Sequence, residues 1–192
     1  MAAGEPISPV IRVQREDFDS AAESRKLTQG RHDIGALVSF VGLCRDEAGI
    51  LQALELEHYP GMAEAEMTRI GTLAIERFSL LGLTAIHRHG RIEPGEQIVL
   101  VIATATHRQA AFDGANLVMD FLKTSAPFWK KEHGKDGTAG DWVAAKDADD
   151  TRPLDQCFKR LRRHGMTRSR RLTTRIATRA AITTASRQIS GP

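Results

Sequence analysis

Cationic side chains stand at both ends of one stretch, residues 106–132 (THRQAAFDGANLVMDFLKTSAPFWKKE), and they carry most of the chemistry open to this chain. His107 and Arg108 fall at the first two positions of a predicted helix. Free backbone N–H groups and the positive end of the helix dipole favour an anion there, and an arginine adds a bidentate fork. The plainer reading pairs Arg108 with a surface carboxylate and packs His107 as a polar residue. At the other end Lys123, Lys130 and Lys131 bracket Pro127, Phe128 and Trp129, with Glu132 next. Lysines beside aromatic walls can hold a phosphate, and a lysine with cationic neighbours or partial burial becomes an acid, base or nucleophile. The alternative is a set of solvated lysines beside a core tryptophan. Arg45 lies in a loop after an apolar strand, a usual place for a ligand contact. His87 and His89 would share a strand face, but no third ligand of suitable spacing accompanies them, which argues against a metal. Glu55 and Glu57 read as a wet strand surface. There is no Walker loop, GxGxxG fingerprint or GxSxG elbow. The residues alone indicate a phosphorylated or carboxylated small molecule and stop short of a reaction.

The elements that must position these groups follow from periodicity. Ile11 and Val13 mark a first strand, and Asp17 or Asp19 caps a helix over 18–29 that Gly30 ends. Residues 35–42 (GALVSFVG) form a near-continuous apolar run, read as a buried strand. Leu54, Leu56 and His58 alternate with polar residues in a strand with one wet face. Pro60 and Gly61 break it. Ile70, Leu73, Ala74, Phe78 and Leu81 then form a helical stripe, with Gly82 placed to end the helix. Residues 83–89 predict a strand, 93–96 a type II turn, and 97–104 (QIVLVIAT) a central strand. Thr106 and Gln109 read as a capping box for the key helix. Its apolar stripe is Ala111, Ala115, Val118 and Leu122, widened by Phe112 and Met119, with small residues permitting close packing in its first turns. Pro127 stops the helix, an extended segment follows, and a Gly-rich loop leads to a short final strand at Trp142 and Val143. At least two long helices and about six strands make an α/β or α+β domain.

Composition bounds the class. The chain has 192 residues, 41% of them hydrophobic, enough for one core. Cys44 and Cys157 form no CxxC pair, so neither a disulfide framework nor a cysteine zinc site is expected. The first residues show no signal-peptide pattern and no apolar run is long enough to span a membrane, so a reducing cytoplasm is the expected compartment. Residues 151–192 hold Lys159 and ten arginines against Asp155, about +10, which leaves residues 1–150 near −7 of the overall +3. The basic segment has little apolar periodicity and reads as a mostly disordered appendage. There is no convincing internal repeat.

Seven motifs fall in one order. They are F-x-G-x-x-R at 40–45, LEHYPGMAE at 56–64, H-R-x-G at 87–90, PGE at 94–96, HRxxAF at 107–112, LKTSAPFWKKE at 122–132 and WV at 142–143. This pattern closely resembles the large, catalytic subunit of molybdopterin synthase, the MoaE family, over about residues 8–150. The resemblance implies an α/β hammerhead with an additional antiparallel β subdomain, and a central dimer. It implies a small ubiquitin-like sulfur carrier on each copy, giving a heterotetramer, whose Gly-Gly thiocarboxylate enters the pocket. It further implies transfer of two sulfurs to cyclic pyranopterin monophosphate, forming the dithiolene of molybdopterin without a cofactor or metal. Lys123 then matches the main catalytic lysine and Lys130 the second. Leu43, Cys44, Arg45, His107, Arg108, Lys131 and Glu132, with the two lysines, match substrate-contacting positions. Members commonly carry a basic residue and then valine where Leu43 and Cys44 stand, so one positive contact is missing. Lys146 stands where an arginine is expected, and 151–192 is an addition to the family pattern.

Two other classes compete. A nucleic-acid-binding protein would act through the arginine-rich segment, which lacks interleaved aromatics and any recognised module. A non-catalytic scaffold for the carrier is disfavoured by the presence of both Lys123 and Lys130. One constraint needs no family. Arg108 and Lys123 lie on one helix with a spacing that corresponds to about 22 Å at 1.5 Å per residue. A small pterin cannot bridge that distance, so each site should combine Lys123 and Lys130 of one subunit with His107 and Arg108 of the other.

Overall fold

The structure, a computed structural model, describes residues 7–46 and 49–144. Lys146, Cys157 and the basic segment 151–192, with the expectations placed on them, lie outside the described residues. In chain order the elements are β1 (Val10–Gln14), α1 (Ser20–Thr28), β2 (Ala36–Leu43), β3 (Leu51–His58), α2 (Met62–Phe78), β4 (Gly82–Arg88), β5 (Gly90–Ile92), β6 (Gln97–Ala105), α3 (Arg108–Thr124), β7 (Phe128–Gly134) and β8 (Val143–Ala144). One sheet runs β1-β4-β6-β2 and the other β5-β3-β7-β8. The first mixes one parallel pair, β1 with β4, with antiparallel neighbours, and the second is antiparallel throughout. The expected mixed domain with an antiparallel β subdomain is what forms.

Strand alternation explains the first sheet. Leu83, Ala85, Val99, Val101, Ala103 and Ala105 pack in the larger core with residues of α2 and α3. Ile86, Leu100 and Ile102 lie in a second cluster with Phe18 and Leu27. Both faces of β4 and β6 are therefore covered, and a strand covered on both faces reads as an unbroken apolar run. The chain leaves this sheet at His89 and enters the other at Gly90, whose φ of 84° suits glycine. Cys44, Leu56 and Ile92 form the small core of the second sheet.

Four local readings need correction. The 35–42 run is not a buried strand: β2 is the edge of its sheet, and Leu37 and Phe40 are 37% and 40% exposed. Gly82 does not end α2. The helix stops at Phe78, Ser79 takes the left-handed conformation at φ 52°, and Gly82 opens β4. Gly82 is needed there for packing, since a Cβ would lie 2.9 Å from Thr104 Oγ1 and 3.0 Å from Leu27 Cδ2. Thr106 does not cap α3: the N-cap is His107, with no side-chain cap bond. Phe112 does not widen the buried stripe, being 52% exposed, whereas Leu117 and Phe121 are buried on it. Close packing of the first turns is present: a Cβ on Gly114 would meet Leu80 Cδ1 at 2.7 Å. Burying each large apolar side chain of that face contributes about 1.5–3 kcal/mol, which fixes α3 against the sheet.

Candidate functional site

α3 begins with its backbone donors unclaimed by any side chain. His107 is extended at φ −130° and ψ 145°, and the first turn holds no acidic residue. Gly35, Thr106, His107, Arg108 and Gln109 line an open depression of about 450 Å³. Gly35 is required beside it because a Cβ would run into the Thr106 carbonyl oxygen, while its N–H donates to Ala105 O at 3.1 Å. His107 and Arg108 are both exposed. An exposed imidazole, an exposed guanidinium and free N–H groups at a helix start are suited to a phosphate or carboxylate.

The other cations gather where α3 hands over to β7. Lys123 is exposed in the last helical turn. Ser125 N and Ala126 N donate to Phe121 O at 2.9 and 3.0 Å, and Phe128 N donates to Ala126 O at 2.8 Å. The turn between the two lysines is thus pinned by its backbone. On β7, Lys130 pairs with Leu56 of β3 and Lys131 with Glu55. Alternation puts Phe128, Lys130 and Glu132 on one face and Trp129, Lys131 and His133 on the other. Lys131 Nζ stands 5.6 Å from the centre of the Trp142 ring, and His133 Nε2 lies 2.7 Å from Glu55 Oε2. Lys130 is half-buried and Glu132 exposed.

Arg45 is exposed on the loop that joins the sheets. That loop is held on both sides. Cys44 N donates to Glu96 O and Gly95 N to Cys44 O, each at 2.8 Å. Asp46 accepts from Leu51 N and from Lys135 Nζ, each at 3.1 Å, and Lys135 N donates to Ile50 O at 2.9 Å. Buried Arg88 braces the turn beneath, donating to Gln97 O at 2.8 Å and Arg15 O at 3.0 Å. Arg45 is thereby carried by the same framework as the end of β7.

Cys44 does not fit a substrate contact. Its side chain is 4% exposed, its thiol lies 3.9 Å from Ile92 O, and burial pushes the thiol pKa up, while its N–H and carbonyl serve the turn. Leu43 is 56% exposed and offers only apolar contact. His87 and His89 do not form a metal pair: His87 is buried against Phe128, and no cluster of three or more ligating groups occurs among the described residues. The sequence reading took Arg88 only as part of the H-R-x-G motif, without its bracing role, and His133 and Lys135 escaped it. A charged residue inside a continuous apolar strand was the available signal for Arg88, whereas the partners of His133 and Lys135 come from distant strands.

The arrangement places two groups of cations at opposite ends of α3, about 22 Å apart by helix rise, and the depression at one end has no lysine among its lining residues. Fold and site together define a two-sheet α+β protein with exposed cations at both ends of one helix. The family model described as "MoaE protein" matches residues 13–125. The molybdopterin synthase catalytic subunit of Rhizobium meliloti (strain 1021) is 71% identical over 140 residues, covering 73% of this chain and 90% of that protein. The corresponding subunit of Pseudomonas aeruginosa PAO1 is 48% identical over 141 residues, covering 72% and 93%. Among solved structures, the molybdopterin biosynthesis MoaE protein from Burkholderia ambifaria MC40-6 superposes with a TM-score of 0.65 at 42% identity, covering 83% of this chain and 99% of that one. The chain belongs to the MoaE family.

Proposed function

We propose that this protein is the catalytic subunit of a molybdopterin synthase, transferring sulfur from the C-terminal thiocarboxylate of a small ubiquitin-like carrier to cyclic pyranopterin monophosphate. The observation that carries this reading is the family membership of a chain whose two cationic groups, Lys123 with Lys130 and His107 with Arg108, all lie on or near the surface at the ends of α3. Both reactants are anionic, and bringing them together requires concentrated positive charge. When the carrier sulfur forms a C–S bond to the pterin side chain, an oxygen leaves as an anion and takes up a proton. Water then cleaves the acyl–sulfur bond, which returns the carrier as a carboxylate and leaves sulfur on the pterin. A lysine ammonium is suited to both the anion and the proton transfer. Lys123 is assigned to the thiocarboxylate and Lys130 to the leaving oxygen, with Arg45, Lys131 and Glu132 contacting substrate. His107 and Arg108 of the second subunit of a dimer complete the pocket by holding phosphate. The same reading puts the protein in the cytoplasm, in a heterotetramer with two carriers. Among the described residues no helix is long and apolar enough to cross a membrane.

The test mixes the full chain with a thiocarboxylated carrier and the cyclic pterin and follows dithiolene formation. Wild type should turn over, and Lys123→Ala should lose about 10²-fold or more, as expected for a group acting on developing charge. A Lys123→Ala enzyme as fast as wild type would remove that lysine from the chemistry.

A further inference from the structure

The two lysines are joined by a segment whose middle is a buried ring. Phe128 opens β7, is 4% exposed, and sits two residues before Lys130. Its ring lies flat against His87 of β4, with centroids 3.9 Å apart and planes 18° from parallel. On another side lies His58 of β3, 6.0 Å away and the register partner of Phe128. His87 is itself fixed: it is 8% exposed, and its Nδ1 donates to the Arg88 carbonyl oxygen at 2.8 Å. That bond leaves the ring one orientation in which its face meets Phe128. His87 belongs to the first sheet and Phe128 to the second, so the stack crosses between them.

We propose that His87 is a positioning residue for the lysine pair, setting through its stack on Phe128 where β7 begins and hence where Lys130 points. This rests on the sulfur-transfer reading given above. Side chains two apart on a strand share a face, so tilting or sliding Phe128 carries Lys130 in the same sense. Lys123 is coupled to the same ring through the pinned backbone from Phe121 to Phe128. His87 is buried and does not touch substrate. Its effect is geometric, and displacement of about 1 Å at a catalytic group can cost up to about a hundredfold in rate.

Two substitutions separate the stack from the hydrogen bond. His87→Phe keeps a flat ring against Phe128 and loses the Nδ1 donor. His87→Asn keeps a donor for the Arg88 carbonyl and loses the ring. With rates normalised to folded protein, His87→Phe should retain kcat within about threefold, whereas His87→Asn should lose about ten- to a hundredfold in kcat with the KM for the carrier little changed. The lysine side-chain NMR signals provide a readout besides activity. The Lys130 Nζ signal should move in His87→Asn and stay in His87→Phe, while that of Lys135, held by Asp46 and Gly49, stays in both. A folded His87→Phe with the activity loss or Lys130 shift expected of His87→Asn would overturn the proposal, and so would an active His87→Asn with Lys130 unmoved. If His87→Asn does not fold, His87→Phe alone decides. Failure of wild type to form dithiolene would instead count against the sulfur-transfer reading, and the Lys130 signal would still report on positioning.

Discussion

Replacing His87 by phenylalanine should flatten the pH dependence of stability between pH 7 and pH 5. His87 is buried, and burial is the largest cause of a pKa lowered from 6.5 to about 4, with His58 and His89 adding smaller repulsion and the bond to Arg88 O opposing. The sign follows from linkage. Between those two values the unfolded chain holds a proton at residue 87 that the folded chain refuses, so stability falls as pH falls. Above pH 6.5 nothing is lost. Below pH 4 the loss levels off at about 3 kcal/mol, since each tenfold change in proton affinity is worth roughly 1.4 kcal/mol. From pH 7 to pH 5 the same two values predict a loss of about 2 kcal/mol. With a urea slope of roughly 2 kcal/mol per molar, the wild-type midpoint should drop by about 1 M more than that of His87→Phe. The neighbouring groups remain in both proteins: His58, His89, and the Arg15, Glu16 and Glu64 that act on His89. Their protons therefore largely cancel in the comparison. Urea melts of both proteins at the two pH values give the measurement. Equal drops would mean that residue 87 titrates as freely folded as unfolded, and the buried neutral stack would be refuted.

Separation of the cations along α3 makes a second prediction. Lys123→Ala and Arg108→Ala enzymes, each inactive alone, should recover about a quarter of wild-type activity when their subunits are mixed, since about half of the dimers are then mixed and each of those holds one intact site. Sulfur transfer after subunit exchange measures it, and no recovery would place the whole site in one chain. Third, Gly35→Ala should drive a methyl group into the Thr106 carbonyl, destabilise by about 1–3 kcal/mol in a urea melt, and raise the KM for the pterin more than that for the carrier. An unchanged pterin KM would separate the depression from substrate binding.

Much of this fold was legible because local pattern and tertiary packing agree. The turn at 93–96 has its glycine at φ 91°, as a type II turn demands. The stripes of α2 and α3 face the core largely as their spacing requires. The failures occurred where one local signal has two physical outcomes. An apolar run such as 35–42 is equally suited to a strand covered on both faces and to an edge strand exposing Leu37 and Phe40. A serine in the left-handed region, as at Ser79, is rarer than a glycine, so Gly82 attracted the helix end that Ser79 takes. The site's cations were legible as types and spacings. Their supports were not, because the Phe128 stack, the Lys135 clamp and the Arg88 brace each join residues far apart in sequence.

The three helices among the described residues together show why the start of α3 stands apart. α1 is capped by Asp19, which accepts from Ala21 N and Ala22 N at 2.9 Å, and carries Glu23 in its first turn. α2 has Glu64 in its first turn, accepting from Gly61 N at 2.8 Å. Both place negative charge at the positive end of the dipole. α3 has neither a side-chain cap nor an acid there, and puts Arg108 in its first turn. A cation in that position opposes the dipole by about 0.3–1 kcal/mol, and a missing cap forgoes about 1 kcal/mol more. At the other end Lys123, in the last turn, has the sign that the helix dipole favours. A sequence that follows the stabilising rule in two helices and breaks it in the third fits the proposed reading, in which an external anion completes that helix start, since broken local rules of this kind concentrate at functional sites. On the proposed reading, an anion there would supply the missing charge, the missing acceptor and a partner for Arg108 together, and a substrate phosphate facing a second subunit's lysines would satisfy all three.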